Sequence, residues 1–67
     1  LELSHSMHVD INMLDIQGRI VKKVVSSSYS GGTHDIYING ADLASGLYFI
    51  QLLAGDEVKY NKVLLLK

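Results

Sequence analysis

A chain of 67 residues makes one small domain at most, and at that size only about 60% of the surface of the unfolded form becomes buried. With no cysteine, neither a disulfide nor a thiolate metal site can brace it, yet 48% apolar and 19% charged residues exclude a disordered tail. Six basic against seven acidic residues leave a net charge of −1, which gives no bulk field for nucleic acid or an acidic membrane. The periodicity is strand-like throughout. Val9, Ile11 and Met13 alternate with Asp10 and Asn12, giving one apolar and one polar face. Asp15-Ile16-Gln17-Gly18 breaks the run, and Gly18 can take the positive φ that closes a short hairpin. A second strand, Arg19–Ser26, shifts its in/out pattern midway, which predicts a bulge; its adjacent lysines, Lys22 and Lys23, suit a sheet edge. Ser26–Gly32 reads as a loop.

Alternation resumes over Thr33–Asn39, with Ile36 and Ile38 against Asp35 and Tyr37, which predicts a third strand. Asn39-Gly40 turns the chain, and Ala41–Ser45 is too short for a helix and reads as a corner. Leu47–Leu53 is the strongest strand, with Tyr48, Ile50 and Leu52 on one face and Phe49 on the other. After a Gly55-Asp56 turn, Val58–Leu66 forms the last strand. A further short strand is expected at Leu1–Ser4, and 1–8 is read as a remnant of a first strand or as a linker within a single domain covering 1–67. Turn signals recur every ~8–12 residues without intervening helical patterns, so the expected fold is all-β: a small antiparallel immunoglobulin-like β-sandwich of about six to seven short strands. Apolar runs such as Val63–Leu66 are far short of the ~20 residues that span a bilayer. No signal peptide is visible and Leu1 is not an initiator methionine, so a fragment or processed product is expected, and an export signal could have been lost upstream.

Little points to catalysis. His5 and His8 are three residues apart, which on a strand sends them to opposite sides, and two ligands fall short of a structural zinc site. Ser4, His5 and Asp10, or Ser45, His34 and Asp35, make triads on paper, but no framing motif surrounds either set. Asp56-Glu57, Asp15 and Asp42 stand where turn and cap residues stand. Gly31-Gly32 leads into a strand, so no helix N-terminus awaits a phosphate. No metal or other cofactor is expected.

Two segments carry more. In Leu43-Ala44-Ser45-Gly46-Leu47-Tyr48, a leucine and a small-residue corner precede a tyrosine that opens an apolar strand. That is the pattern of a tyrosine corner, whose hydroxyl bonds backbone a few residues upstream; the other reading is a half-buried strand aromatic. Val63–Leu66 is apolar on both faces and flanked by Lys62 and Lys67. Either the strand is covered on both sides, or one face meets the core and the other a partner.

These residues resemble the type IX secretion C-terminal sorting domains of type A, the Por secretion system tail. Asp15-Ile16-Gln17-Gly18-Arg19-Ile20-Val21 resembles their D-x-x-G-R-x-V hairpin, and Gly32-Thr33-His34 their G-x-H strand entry. Leu43–Ile50 resembles their L-P-x-G-x-Y-hydrophobic segment, and Lys62–Lys67 their basic-flanked apolar ending. The resemblance covers about 9–67 in order and spacing. It departs at Leu14, where Tyr or Phe is usual, at Ala44, where Pro is usual, and at Leu1–His8, which lacks the usual Asn-Pro opening, so the first strand is expected to be truncated or lost.

The resemblance implies a sorting role. The domain would label an upstream cargo exported first to the periplasm. The outer-membrane type IX machinery would recognise it and move the cargo to the cell surface or out of the cell, and a sortase-like peptidase would remove it. Gly18, Arg19, His34, Leu43, Gly46, Tyr48, Lys62, Val63, Leu65 and Lys67 are its recognition and structural residues. Two other readings stand beside it: an adhesion or carbohydrate-binding module, for which Tyr29, Tyr37 and Tyr60 are the available aromatics, and a structural spacer in a larger extracellular protein. A homodimer through the edge strands is a further expectation.

Overall fold

A computed structural model describes residues 1–67. Six strands form: β1 (Glu2–Leu3), β2 (Met7–Leu14), β3 (Ile20–Tyr29), β4 (Gly32–Thr33), β5 (Gly46–Ala54) and β6 (Glu57–Leu65). Four of them make an antiparallel sheet in the order β3-β2-β5-β6, and β1 pairs with β4. The chain leaves edge strand β3, crosses one face of the sheet, and returns as β5 on the far side of β2. The crossing segment and the β1–β4 pair form the second layer of the sandwich.

Opposed residues of antiparallel strands share a face, so the register sorts the side chains. Val9, Ile11 and Met13 of β2 lie opposite Ala54, Leu52 and Ile50 of β5, which builds the inner face. Val9 is fully buried, and Leu3, Ile11 and Ala54 join it in the core, with Ile36 from the crossing segment packed against them. The predicted bulge appears as two register shifts between β2 and β3, at Ile11/Asn12 and Met13/Leu14. β3 is an edge strand, as its lysines suggest.

Three local expectations change. Of Thr33–Asn39, only Thr33 lies in a strand. His34 adds a backbone bond to Leu1 O (2.7 Å), and the chain then runs without a strand neighbour. Ile36 is half-buried while Asp35 and Tyr37 are exposed, so the alternation there records one-sided burial over the core and not ladder pairing. The predicted loop Ser26–Gly32 is instead strand as far as Tyr29, because β2 supplies a partner for each serine: Ser26–Ser28 lie opposite Asp10, Val9 and His8. The last strand is not covered on both sides, since Leu64 is 64% and Leu66 77% exposed while Val63 and Leu65 are half-buried.

Candidate functional site

The β2–β3 hairpin is closed by its own side chains. Asp15 N donates to Arg19 O (2.9 Å) and Gly18 N to Asp15 O (3.0 Å), a three-residue loop that needs the positive φ of Gly18, +83°. The Asp15 carboxylate then accepts from Gln17 N, Arg19 N and Arg19 Nε at 2.9–3.0 Å. Those bonds, led by the Arg19 amide, hold its carboxyl below the ordinary 3.8. The D-x-x-G-R pattern is thus a turn that satisfies itself.

The corner is built the same way, from distant parts. Tyr48 is buried, and its hydroxyl donates to Ala44 O at 2.7 Å, which establishes the tyrosine corner. Gly46, at φ +156°, lets the chain swing from corner into strand directly beside the Tyr48 ring. Leu43 N closes a turn on Gly40 O (3.0 Å), and Gly40 packs so tightly on Leu65 that a Cβ there would lie 3.0 Å from Leu65 Cδ1. Lysines from both sheet edges then hold the corner. Lys22 Nζ of β3 bonds Asn39 O (2.6 Å) and Asp42 Oδ1 (2.9 Å), and Lys67 Nζ bonds Ala41 O (2.6 Å) while its amide donates to Ser45 Oγ (3.1 Å).

Gly18, Arg19, Leu43, Gly46, Tyr48, Lys62, Val63, Leu65 and Lys67 therefore gather at one end of the sheet, where Gly46 faces Leu65, Tyr48 faces Val63 and Phe49 faces both Leu14 and Lys62. His34 lies at the other end, where its Nε2 bonds Ser30 O (2.7 Å) and its ring meets Tyr29 edge-on at 5.0 Å. There it clasps the Ser30–Thr33 bend, which gives the G-x-H pattern a structural role. The paper triads do not assemble: Ser4 Oγ meets His5 Nδ1 (2.9 Å), but Asp10 is 3.4 Å from His8, and Ser45 holds Lys67. The three tyrosines do not form one platform, since Tyr29 packs on the core, Tyr37 lies on the crossing segment and Tyr60 on the outer face. An open cleft of about 630 Å³ between β1 and the Gly55 turn touches none of the motif residues.

Sequence reasoning missed Lys22 as a clamp, because its partner Asp42 is 20 positions away with no local signal. It also missed a polar row across the outer face, in which Asn12 Nδ2 donates to Gln51 Oε1 (3.0 Å) and Gln51 Nε2 to Tyr60 Oη (3.1 Å).

The Asp42 carboxyl is held below 3.8 chiefly by its bond from Lys22, and that of Asp10 by the adjacent Ser26 hydroxyl and then His8. A lowered folded-state value means that the unfolded chain binds protons first. The stabilisation is therefore complete above 3.8 and is lost as the pH falls below it. Thermal melts from pH 7 to pH 2 should show a falling Tm in that acid limb, and Asp42→Asn should flatten the limb and lower Tm at pH 7.

Asp15, Gly18, Arg19, His34, Gly46, Tyr48 and Lys67 thus hold turns and corners of a small all-β module. The family model described as the secretion system C-terminal sorting domain matches residues 1–66, and the chain belongs to that family. It is a C-terminal sorting signal for type IX secretion, which delivers proteins to the cell surface or the medium. The match includes Leu1–His8, which the motif resemblance left out. Searches of curated proteins and of solved structures gave no match.

Proposed function

We propose that the domain, acting without catalysis over 1–67 as one unit, docks on the outer-membrane secretion machinery through the free edge of β6. The observation that carries this is the contrast between the two sheet edges. β3 is bulged twice and carries Lys22 and Lys23, features that oppose pairing. β6 pairs with β5 over nine residues without a register shift and has no neighbour on its other side. Because a two-residue turn joins them, Ala54 and Glu57 form a hydrogen-bonded pair, so Val58, Tyr60, Lys62 and Leu64 point their amides and carbonyls outward. That row is a template for strand addition. Cargo passage through the periplasm, handover at the outer membrane and removal by a sortase-like peptidase complete the reading, and a second copy pairing at the same edge would compete with the machinery.

Deleting Lys62–Lys67 from a cargo fusion should abolish secretion. Because the deletion also removes Val63 and Leu65 from the fold, a second variant is needed. Lys62→Pro removes one outward amide and leaves the β5 ladder intact, and should cut secretion in a fusion whose circular dichroism is unchanged. Secretion at the normal level from the folded proline variant would overturn edge docking.

A further inference from the structure

The outer face of the four-stranded sheet has no layer over it, and beside its polar row it is dented over apolar side chains. Leu14 and Phe49, opposed across β2 and β5, floor a dent of about 460 Å³. The hairpin residue Ile16, 71% exposed, walls it on one side and Tyr60, 57% exposed, on the other. Gln51 Nε2 donates to the Tyr60 hydroxyl at 3.1 Å, which orients that wall.

The one charged residue that lines the dent is Asp15, and it is ion-paired to Arg19; the unpaired charges elsewhere on this face are cationic. Lys62 lies opposite Phe49 and Lys23 opposite Asn12, both on this face, and neither has an ion-pair partner. The nearby carboxylates are committed, Asp15 to Arg19 and its own turn, Asp10 to His8 and Ser26. An occupant that fills the dent and also reaches the unpaired Lys62, opposite Phe49, brings apolar bulk and negative charge together. A flat anionic bilayer supplies the charge but cannot fill a concavity; a projecting side chain can.

We infer that this dent is a docking site for an extended acidic-apolar segment of a protein partner, one large apolar side chain seated on Leu14 and Phe49 and a carboxylate meeting Lys62. The inference rests on the sorting reading in placing that segment on the secretion machinery. The dent adjoins β6, so a partner pairing at that edge can send its next residues over the face.

The test titrates the isotope-labelled 67-residue chain with a blocked Glu-Phe-Glu-Leu-Glu peptide, its lysine counterpart, and phosphatidylglycerol vesicles. The acidic peptide alone should move the resonances of Ile16, Phe49, Tyr60 and Lys62. Ile16→Asp or Lys62→Glu should weaken binding at least about fivefold. In a reporter fusion, Ile16→Asp should lower export by a similar factor with circular dichroism unchanged. An acidic peptide that leaves those resonances unmoved, equal binding of the lysine peptide, binding of vesicles in place of peptide, or full export of the folded Ile16→Asp fusion each overturns the inference and leaves the sorting reading intact. Failure of the unsubstituted fusion to be exported, with peptide binding retained, removes the sorting reading and leaves the dent as a peptide site.

Discussion

Replacing Tyr48 by alanine is expected to unfold most of the chain at room temperature, and replacing it by phenylalanine to weaken the fold by about 1 kcal/mol. The two changes separate the two things this side chain does. Its ring fills the inner face opposite Val63, where removing a buried aromatic costs roughly 3–5 kcal/mol. Its hydroxyl ties the corner to the strand through Ala44 O. Ala44 is exposed, so water can replace the lost donor, and the phenylalanine variant falls at the lower end of hydrogen-bond costs. A single core in a chain of this size rarely supplies more than about 3–5 kcal/mol, so the alanine change consumes most of it. Urea titration monitored by circular dichroism measures both. A Tyr48→Ala variant as stable as the unsubstituted chain would mean that the corner is incidental.

The second large effect is expected at Ile11. It lies opposite Val25 of β3 and Leu52 of β5, in the middle of the central strand, and is 5% exposed. Ile11→Ala opens a cavity that the second layer is too thin to fill by collapse, and a loss of roughly 2–5 kcal/mol follows. Ile16→Ala, on the exposed hairpin, should change stability by no more than about 0.5 kcal/mol and serves as the control. Equal midpoints for the two variants would place the core elsewhere.

How far the fold was legible depended on whether a residue's reason lay near it in the chain. Val9, Ile11 and Met13 announce their strand because a half-buried ladder forces period two. Asp15, Gly18 and Arg19 announce their turn because every partner is within four residues. Tyr48 could be read through its offset from the Gly46 corner for the same reason. Ser26–Ser28 misled because serine composition says loop, whereas the deciding term was β2 lying alongside. Ile36 misled because one-sided burial produces the same alternation as a ladder, and only the topology shows that no strand lies beside it; Ile38 is exposed. Lys22 could be read as an edge residue but not as a clamp on Asp42, since nothing local links a strand to a corner 20 residues on. For the candidate site, the terminal strand was visible in sequence, while the dent over Leu14 and Phe49 was not, because it exists only once β2 and β5 are paired.

The unequal edges of the sheet also set a stoichiometry. Open-ended growth by strand addition needs two receptive edges per molecule, one to accept and one to offer. Here β3 is blunted by its bulges and adjacent lysines, so under the proposed edge docking each chain would be extended once, at β6. On that reading, chains would pair off head to head or bind a receptor singly without propagating into a fibre, and a receptor on the edge would also end self-association.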